Sequence, residues 1–155
     1  MKINVIKLIV SILIPLAVGG LGSIVTINQI PTWYAAINKP QLLPPNGIFG
    51  PVWTTLFILM GLALYLVWMS KSKNKSRAYL VFGLQLVLNL LWSVLFFGWH
   101  ALGWAVVEIL VLEAVIVANI LEFRKVSKTS AWLLLPYPVW VAFATYLTIS
   151  VWRLN

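Results

Sequence analysis

Four helical faces in this sequence carry the side chains best suited to holding a ligand. Gln85, Asn89 and Trp92 recur at i, i+4 and i+7, Trp104 and Glu108 stand four apart, and Trp140, Ala144 and Leu147 repeat the same period. Each set therefore falls on one side of an α-helix. A fourth stripe, Trp53, Phe57 and Met60, is aromatic and apolar, while Glu113 lies on a different face from Glu108. Flat indoles beside an amide, a carboxyl and a small residue suit a planar apolar molecule, held by stacking and oriented by a few hydrogen bonds. Other chemistries are excluded. The chain has no cysteine and one histidine, His100, so it offers no disulfide, no thiolate nucleophile and no His-rich metal cage. No acid–base constellation stands out, no metal site is expected, and no resident cofactor is required. His100 lies in a short loop and no Cys is present, so strong axial ligation of a haem iron is not expected.

The elements that must position these faces follow from composition. Of 155 residues 62% are hydrophobic, against only 11 Lys and Arg and 3 Asp and Glu, which excludes a soluble globule. Uninterrupted apolarity places five spans at about 5–28, 50–69, 78–98, 101–121 and 131–152, each long enough to cross ~30 Å of hydrocarbon. The expected fold class is all-α, one integral membrane bundle of five transmembrane helices over residues 1–155. Met1, Lys2 and Lys7 followed by an apolar run resemble a signal peptide, but the run continues past Gly22 to Ile27 and reads better as the first span.

The net charge of +8 is read by its placement. Lys2, Lys7, Lys71, Lys73, Lys75, Arg77, Arg124, Lys125 and Lys128 fall on one side, and Lys39 and Arg153 on the other. That asymmetry places the amino terminus and the 70–77 and 122–130 loops in the cytoplasm. The basic residues signal topology and contact anionic lipid; nucleic acid is not an expected partner.

Residues 29–49 are the one long connection. Pro31, Pro40, Pro44 and Pro45 restrict its backbone, and Trp33, Tyr34, Leu42, Leu43 and Phe49 need burial, so it is expected to fold as a lid over the non-cytoplasmic helix ends, or as a purely structural plug. Of the nine tryptophans, Trp68, Trp99 and Trp152 sit at span ends as an aromatic belt, whereas Trp53, Trp92, Trp104 and Trp140 are assigned to a pocket. Gln85 and Asn89 have interhelical hydrogen bonding as their alternative role, and Glu108 has solvation near the surface. Pro136 and Pro138 should bend the fifth span and open space beside Trp140. The small-residue pairs Gly19/Ser23 and Ala114/Ala118 permit close helix approach.

PTWY (31–34), the KPxxxPP stretch from Lys39 to Pro45, FGPVWTTLF (49–57), the run from Met60 to Trp68, QLVLNLLWSVLFFG (85–98), GWAVVE (103–108), PYPVWVAFATYL (136–147) and VWRLN (151–155) together resemble the translocator protein family, also called tryptophan-rich sensory protein or peripheral-type benzodiazepine receptor. The resemblance covers nearly the whole chain and is highly specific. It implies five transmembrane helices, a first loop closing a pocket, frequent homodimers, and a place in the bacterial cell membrane. It also implies binding of porphyrins and of synthetic isoquinoline carboxamide or benzodiazepine-type ligands. Bacterial members are associated with light- and oxygen-dependent breakdown of protoporphyrin, and animal members with cholesterol. Trp53 and Trp140 match the two tryptophans tied to porphyrin turnover; Asn89, Trp104, Ala144 and Leu147 match pocket-lining positions. The cholesterol motif is incomplete, because Ile149 holds the tyrosine position, and Phe57 replaces a tyrosine common in animal members.

The expected function is thus binding of protoporphyrin IX against Trp53 and Trp140, with Trp33, Phe57, Gln85, Asn89, Trp92, Trp104, Glu108, Ala144 and Leu147 as further ligand contacts, and its photooxidative degradation with molecular oxygen and light. The porphyrin is its own photosensitiser. A transporter of porphyrins or similar lipophilic molecules is one alternative, although no inverted repeat or paired broken helices are visible; a ligand-responsive sensor or scaffold is the other.

Overall fold

The computed structural model describes residues 3–72 and 75–155, so Lys2 and Lys73 of the charge pattern lie outside the described residues. Among these residues the structure is helical, with no strand. The helices are α1 (Val5–Thr26), α2 (Trp33–Ala36), α3 (Phe49–Met69), α4 (Ser76–Ser93), α5 (Leu102–Val126), α6 (Lys128–Leu133) and α7 (Pro136–Leu154). With their flanking turns they make five spans, Val5–Thr26, Asn46–Met69, Ser76–Gly98, Leu102–Val126 and Lys128–Leu154, all long and apolar enough to cross a membrane.

Local chemistry sets the boundaries. The Asn4 side chain accepts from the Lys7 backbone N–H at 3.0 Å and caps α1, while Ser127 caps α6 through the Ser130 N–H. Arg124 and Lys125 occupy the last turn of α5, where cations complement the helix dipole and prolong the helix beyond its apolar stretch. The expected bend in the fifth span is a break. Leu134 and Leu135 separate α6 from α7, and Pro136 opens α7, where its missing N–H costs nothing.

Going round the bundle, α3 packs on α1, α1 on α4, α4 on α5 and α5 on α7, while α6 contacts both α3 and α5. The ring is closed at the end holding the basic loops. There Met60, Ala63 and Val67 of α3 pack with Ile116 and Phe123 of α5 and Leu134 beyond α6, all essentially inaccessible. A Cβ on Gly61 would overlap the backbone of Ser11 and Ile12, so glycine lets α1 and α3 touch. The Asn4 N–H donating to the Tyr65 hydroxyl at 3.1 Å and Lys7 over the Trp68 ring at 5.3 Å hold the same corner.

At the opposite end α4 gains an extra residue per turn. Val94–Gly98 form a π-helical turn, closed by the Trp99 N–H to the Val94 carbonyl at 2.8 Å, and it runs into His100 in left-handed backbone at φ 54. This turn aims Phe96 and Phe97 at the loop between α1 and α3, which is folded as a lid. Trp33 stacks on His100 at 4.0 Å and meets Phe96 edge-on at 5.7 Å. His100 Nε2 lies 3.1 Å from Gln29 Oε1, an oxygen that only accepts, so Nε2 donates. On the far side Asn38 and Asn155 clasp each other: the Asn38 N–H donates to Asn155 Oδ1 at 3.0 Å, and Asn155 Nδ2 donates to the Asn38 carbonyl at 3.0 Å.

Candidate functional site

Beneath the lid the helices enclose a cavity of about 590 Å³, a size within the ~300–1,000 Å³ range of cofactor and drug-sized sites. Aromatic side chains give it flat walls. Trp53 is stacked on Phe57 at 5.7 Å and meets Tyr137 edge-on at 6.2 Å; opposite, Trp92 is stacked on Phe96 at 5.1 Å. Tyr34 and Phe49 close it from the lid side. Burial in the lid pushes the Tyr34 phenol above its ordinary range, so it faces the cavity uncharged. The floor is made of small or slender residues of α1 and α7, Gly19, Gly22, Ala144 and Leu147. Gly19 is required there, because a Cβ would overlap the Phe57 ring.

Most hydroxyls in these walls turn away from the cavity. Ser23 donates to the Gly19 carbonyl, Thr26 to Gly22, Thr54 to Gly50 and Thr148 to Ala144, at 2.8 to 2.9 Å. This leaves apolar surface with few directional groups. Asn89 donates through Nδ2 to the Tyr137 hydroxyl at 3.0 Å, which fixes its amide at the cavity wall. The indole Nε1 of Trp92 is buried without a partner, an unsatisfied donor within the wall. Walls of this kind can stack on a flat apolar molecule, with the Asn89 amide as a fixed polar group beside it. The described residues bring no three His, Cys, Asp or Glu side chains together.

The cavity also has a side opening. Above the Gly19–Phe57 contact, the cavity-lining residues Gly20, Ser23 and Ile27 of the α1 side and Gly47, Gly50 and Thr54 of the α3 side are all exposed. The gap between the two helices faces laterally, where the spans would meet lipid.

Sequence comparison decides the family. The family described as TspO/MBR matches residues 11–153. The chain belongs to the TspO/MBR family. It is 43% identical over 152 residues to the tryptophan-rich protein TspO of Archaeoglobus fulgidus, covering 98% of this chain and 99% of that one. To the translocator protein of Homo sapiens it is 41% identical over 126 residues, 79% of this chain and 75% of the relative. To the tryptophan-rich protein TspO of Chlorobaculum tepidum it is 40% identical over 159 residues, 100% and 99% of the two chains.

In this TspO/MBR membrane protein the residues singled out from sequence divide into three groups. Trp53, Phe57, Asn89, Trp92, Ala144 and Leu147 line the cavity together. Trp33, Gln85, Glu108 and Trp140 lie near it without lining it. Trp33 is committed to His100 and Phe96 in the lid. Gln85, one turn below Asn89, is fully buried, with Nε2 3.9 Å from Met60 Sδ and Oε1 unpartnered. Trp140 sits behind Phe49, which packs edge-on against it at 5.7 Å, and its Nε1 is buried without a partner. The break before α7 therefore does not open space that exposes Trp140 to the cavity. Glu108 is 6% exposed and both its oxygens lack a partner, which corrects the alternative of a solvated surface carboxylate. Trp104 is the third group. It is 70% exposed and not on the cavity, because it occupies the first turn of α5, at the rim of the bundle.

Several residues that shape the site were not singled out. Tyr137 is the partner that holds Asn89, and the signal was available: a tyrosine deep in a span needs a hydrogen-bond partner. Tyr34 was placed in the lid by its need for burial, but not at the cavity. Phe96 and Phe97 depend on the π-helical turn, which the helical period does not foretell.

Proposed function

We propose that this protein binds protoporphyrin IX in the cavity beneath the lid and promotes its light- and oxygen-dependent degradation, as an integral protein of a bacterial cell membrane with its basic loops cytoplasmic. One observation carries the reading: a cavity of about 590 Å³ whose walls are Trp53, Phe57, Trp92 and Phe96, with almost no directional polar group. Such walls hold a large flat π-system by stacking. The porphyrin absorbs the light, molecular oxygen is the oxidant, and Trp53 contacts the ring plane as an electron donor. Trp140, behind Phe49, acts through that ring rather than by contact, as a positioning residue. Isoquinoline carboxamide and benzodiazepine-type ligands occupy the same cavity and compete. Trp53→Phe should retain bound protoporphyrin and lose the light-driven bleaching of its absorbance; bleaching at the wild-type rate in that variant would remove Trp53 from the reaction.

Transport is the second reading, and the side opening between α1 and α3 favours it, because a lipophilic molecule could pass between cavity and bilayer there. The relative from Homo sapiens is named a translocator protein. Reconstituted vesicles separate the two: protein-dependent porphyrin flux that continues in darkness supports transport, whereas bleaching without dark flux supports degradation.

A further inference from the structure

The mechanism uses nothing at the basic end of the bundle, yet a second hollow of about 530 Å³ lies there, between the start of α4 and the end of α5. Arg77 of α4, Arg124 and Lys125 of α5 and Lys128 of α6 border it, with Glu122 among them. Glu122 accepts from Lys125 Nζ at 2.7 Å and lies 3.3 Å from Arg77 Nε, so the one carboxylate fixes two cations in place. Arg124 and Lys128 form no ion pair among the described residues. Four cations against one carboxylate leave an excess of three positive charges around the hollow. Its remaining wall is apolar, Ala118 and Leu121, and one turn further into the span the exposed side chains of Leu80 and Val117 continue that surface.

We infer that this hollow is a binding site for the phosphate headgroup of an anionic phospholipid, whose acyl chains run along Leu121, Val117 and Leu80. A phosphodiester anion matches the excess charge, and guanidinium groups bind phosphate through paired N–H donors. Basic hollows between spans at a membrane surface are suited to anionic headgroups. Two features favour a lipid over a free anion: the apolar track leads away from the cations into the span, and the site sits at the level where the helices leave the apolar region. The inference is independent of what occupies the cavity under the lid.

Native mass spectrometry of the whole protein released from micelles containing phosphatidylglycerol and phosphatidylcholine tests it. The wild type should retain phosphatidylglycerol in preference. Arg124→Gln with Lys128→Gln should lower that preference roughly 25-fold, about fivefold for each removed cation, from the ~1 kcal/mol a basic residue near an anionic surface contributes. Lys71→Gln, outside the hollow, should leave it unchanged, and Arg124→Lys should retain most of it. Both exchanged residues are exposed, so the melting temperature should hold. No preference in the wild type, an unaltered preference in the double variant, or an equal loss in Lys71→Gln would each overturn the site. Displacement of phosphatidylglycerol by inorganic phosphate at comparable concentration would overturn the lipid and assign the hollow to a free phosphate anion.

Discussion

Replacing Gly19 with alanine puts one methyl group where the Phe57 ring already lies. An exposed aromatic ring would swing aside at little cost. This one is 6% exposed and stacked on Trp53 at 5.7 Å, so its displacement presses the cavity wall inward or pushes α1 and α3 apart. Gly20 is the internal control, since a Cβ there meets nothing within 4 Å. Both exchanges gain about the same ~0.8–1 kcal/mol of helix propensity, and only Gly19→Ala carries the overpacking cost of ~1–3 kcal/mol. The two variants should therefore differ by ~1–3 kcal/mol, with Gly20→Ala neutral or stabilised. Detergent-solubilised protein melted side by side gives the comparison, and titration with protoporphyrin should show weaker binding for Gly19→Ala. Adding Phe57→Leu to Gly19→Ala should restore stability relative to the sum of the single changes, with a coupling of ~0.5–3 kcal/mol. If Gly19→Ala melts with Gly20→Ala and binds as the wild type does, the ring is not pinned and the wall is not set by this contact.

Ala144 lines the cavity, so the ring in Ala144→Phe would project into the space a ligand takes and should weaken both protoporphyrin and an isoquinoline carboxamide about 5- to 150-fold; two unchanged dissociation constants, or simultaneous binding of both ligands, would refute a single shared cavity. Asn89→Leu leaves the buried Tyr137 hydroxyl without its donor and should destabilise the protein by ~1–3 kcal/mol, while the double change with Tyr137→Phe should recover much of it; additive melting shifts would show that the 3.0 Å bond contributes nothing. Ser23→Phe narrows the side opening without touching the stacking walls, and stopped-flow fluorescence should show slower porphyrin association with dissociation slowed in parallel. An unaltered association rate would place the entry elsewhere.

The spans were legible because apolar runs of this length have few other solutions, and the polar stripe on α4 was legible down to Asn89 and Trp92 because their neighbours are apolar. The face on α5 was read less well. Four residues advance a helix by 400°, so Trp104 and Glu108 differ by about 40°, and they also differ by a turn in depth: the first lies at the rim, 70% exposed, and the second inside, 6% exposed. Helical period reports direction and not depth. Trp140 was placed at the cavity from its period and from resemblance, and neither reveals that Phe49 from the start of α3 stands in front of it. The turn at Val94–Gly98 has no sequence signature that the 3.6-residue period detects, so the aim of Phe96 and Phe97 could only be seen in three dimensions.

The hydroxyls of Ser23, Thr26, Thr54 and Thr148, each spent on a carbonyl of its own helix, bear on discrimination. A wall that offers few hydrogen bonds also withholds few, so a wrong guest leaves little unsatisfied when it enters. Rejection must then come from outline alone, and a misfit of one methylene in an apolar pocket is worth only ~1–3 kcal/mol, or ~10–200-fold, whereas a missing hydrogen bond in a polar one reaches ~10⁴-fold or more. The cavity is built as a tolerant host: on the function proposed above, tetrapyrroles differing at their rim substituents should compete for it within about two orders of magnitude of one another, and abundance in the bilayer should then decide between them as much as affinity.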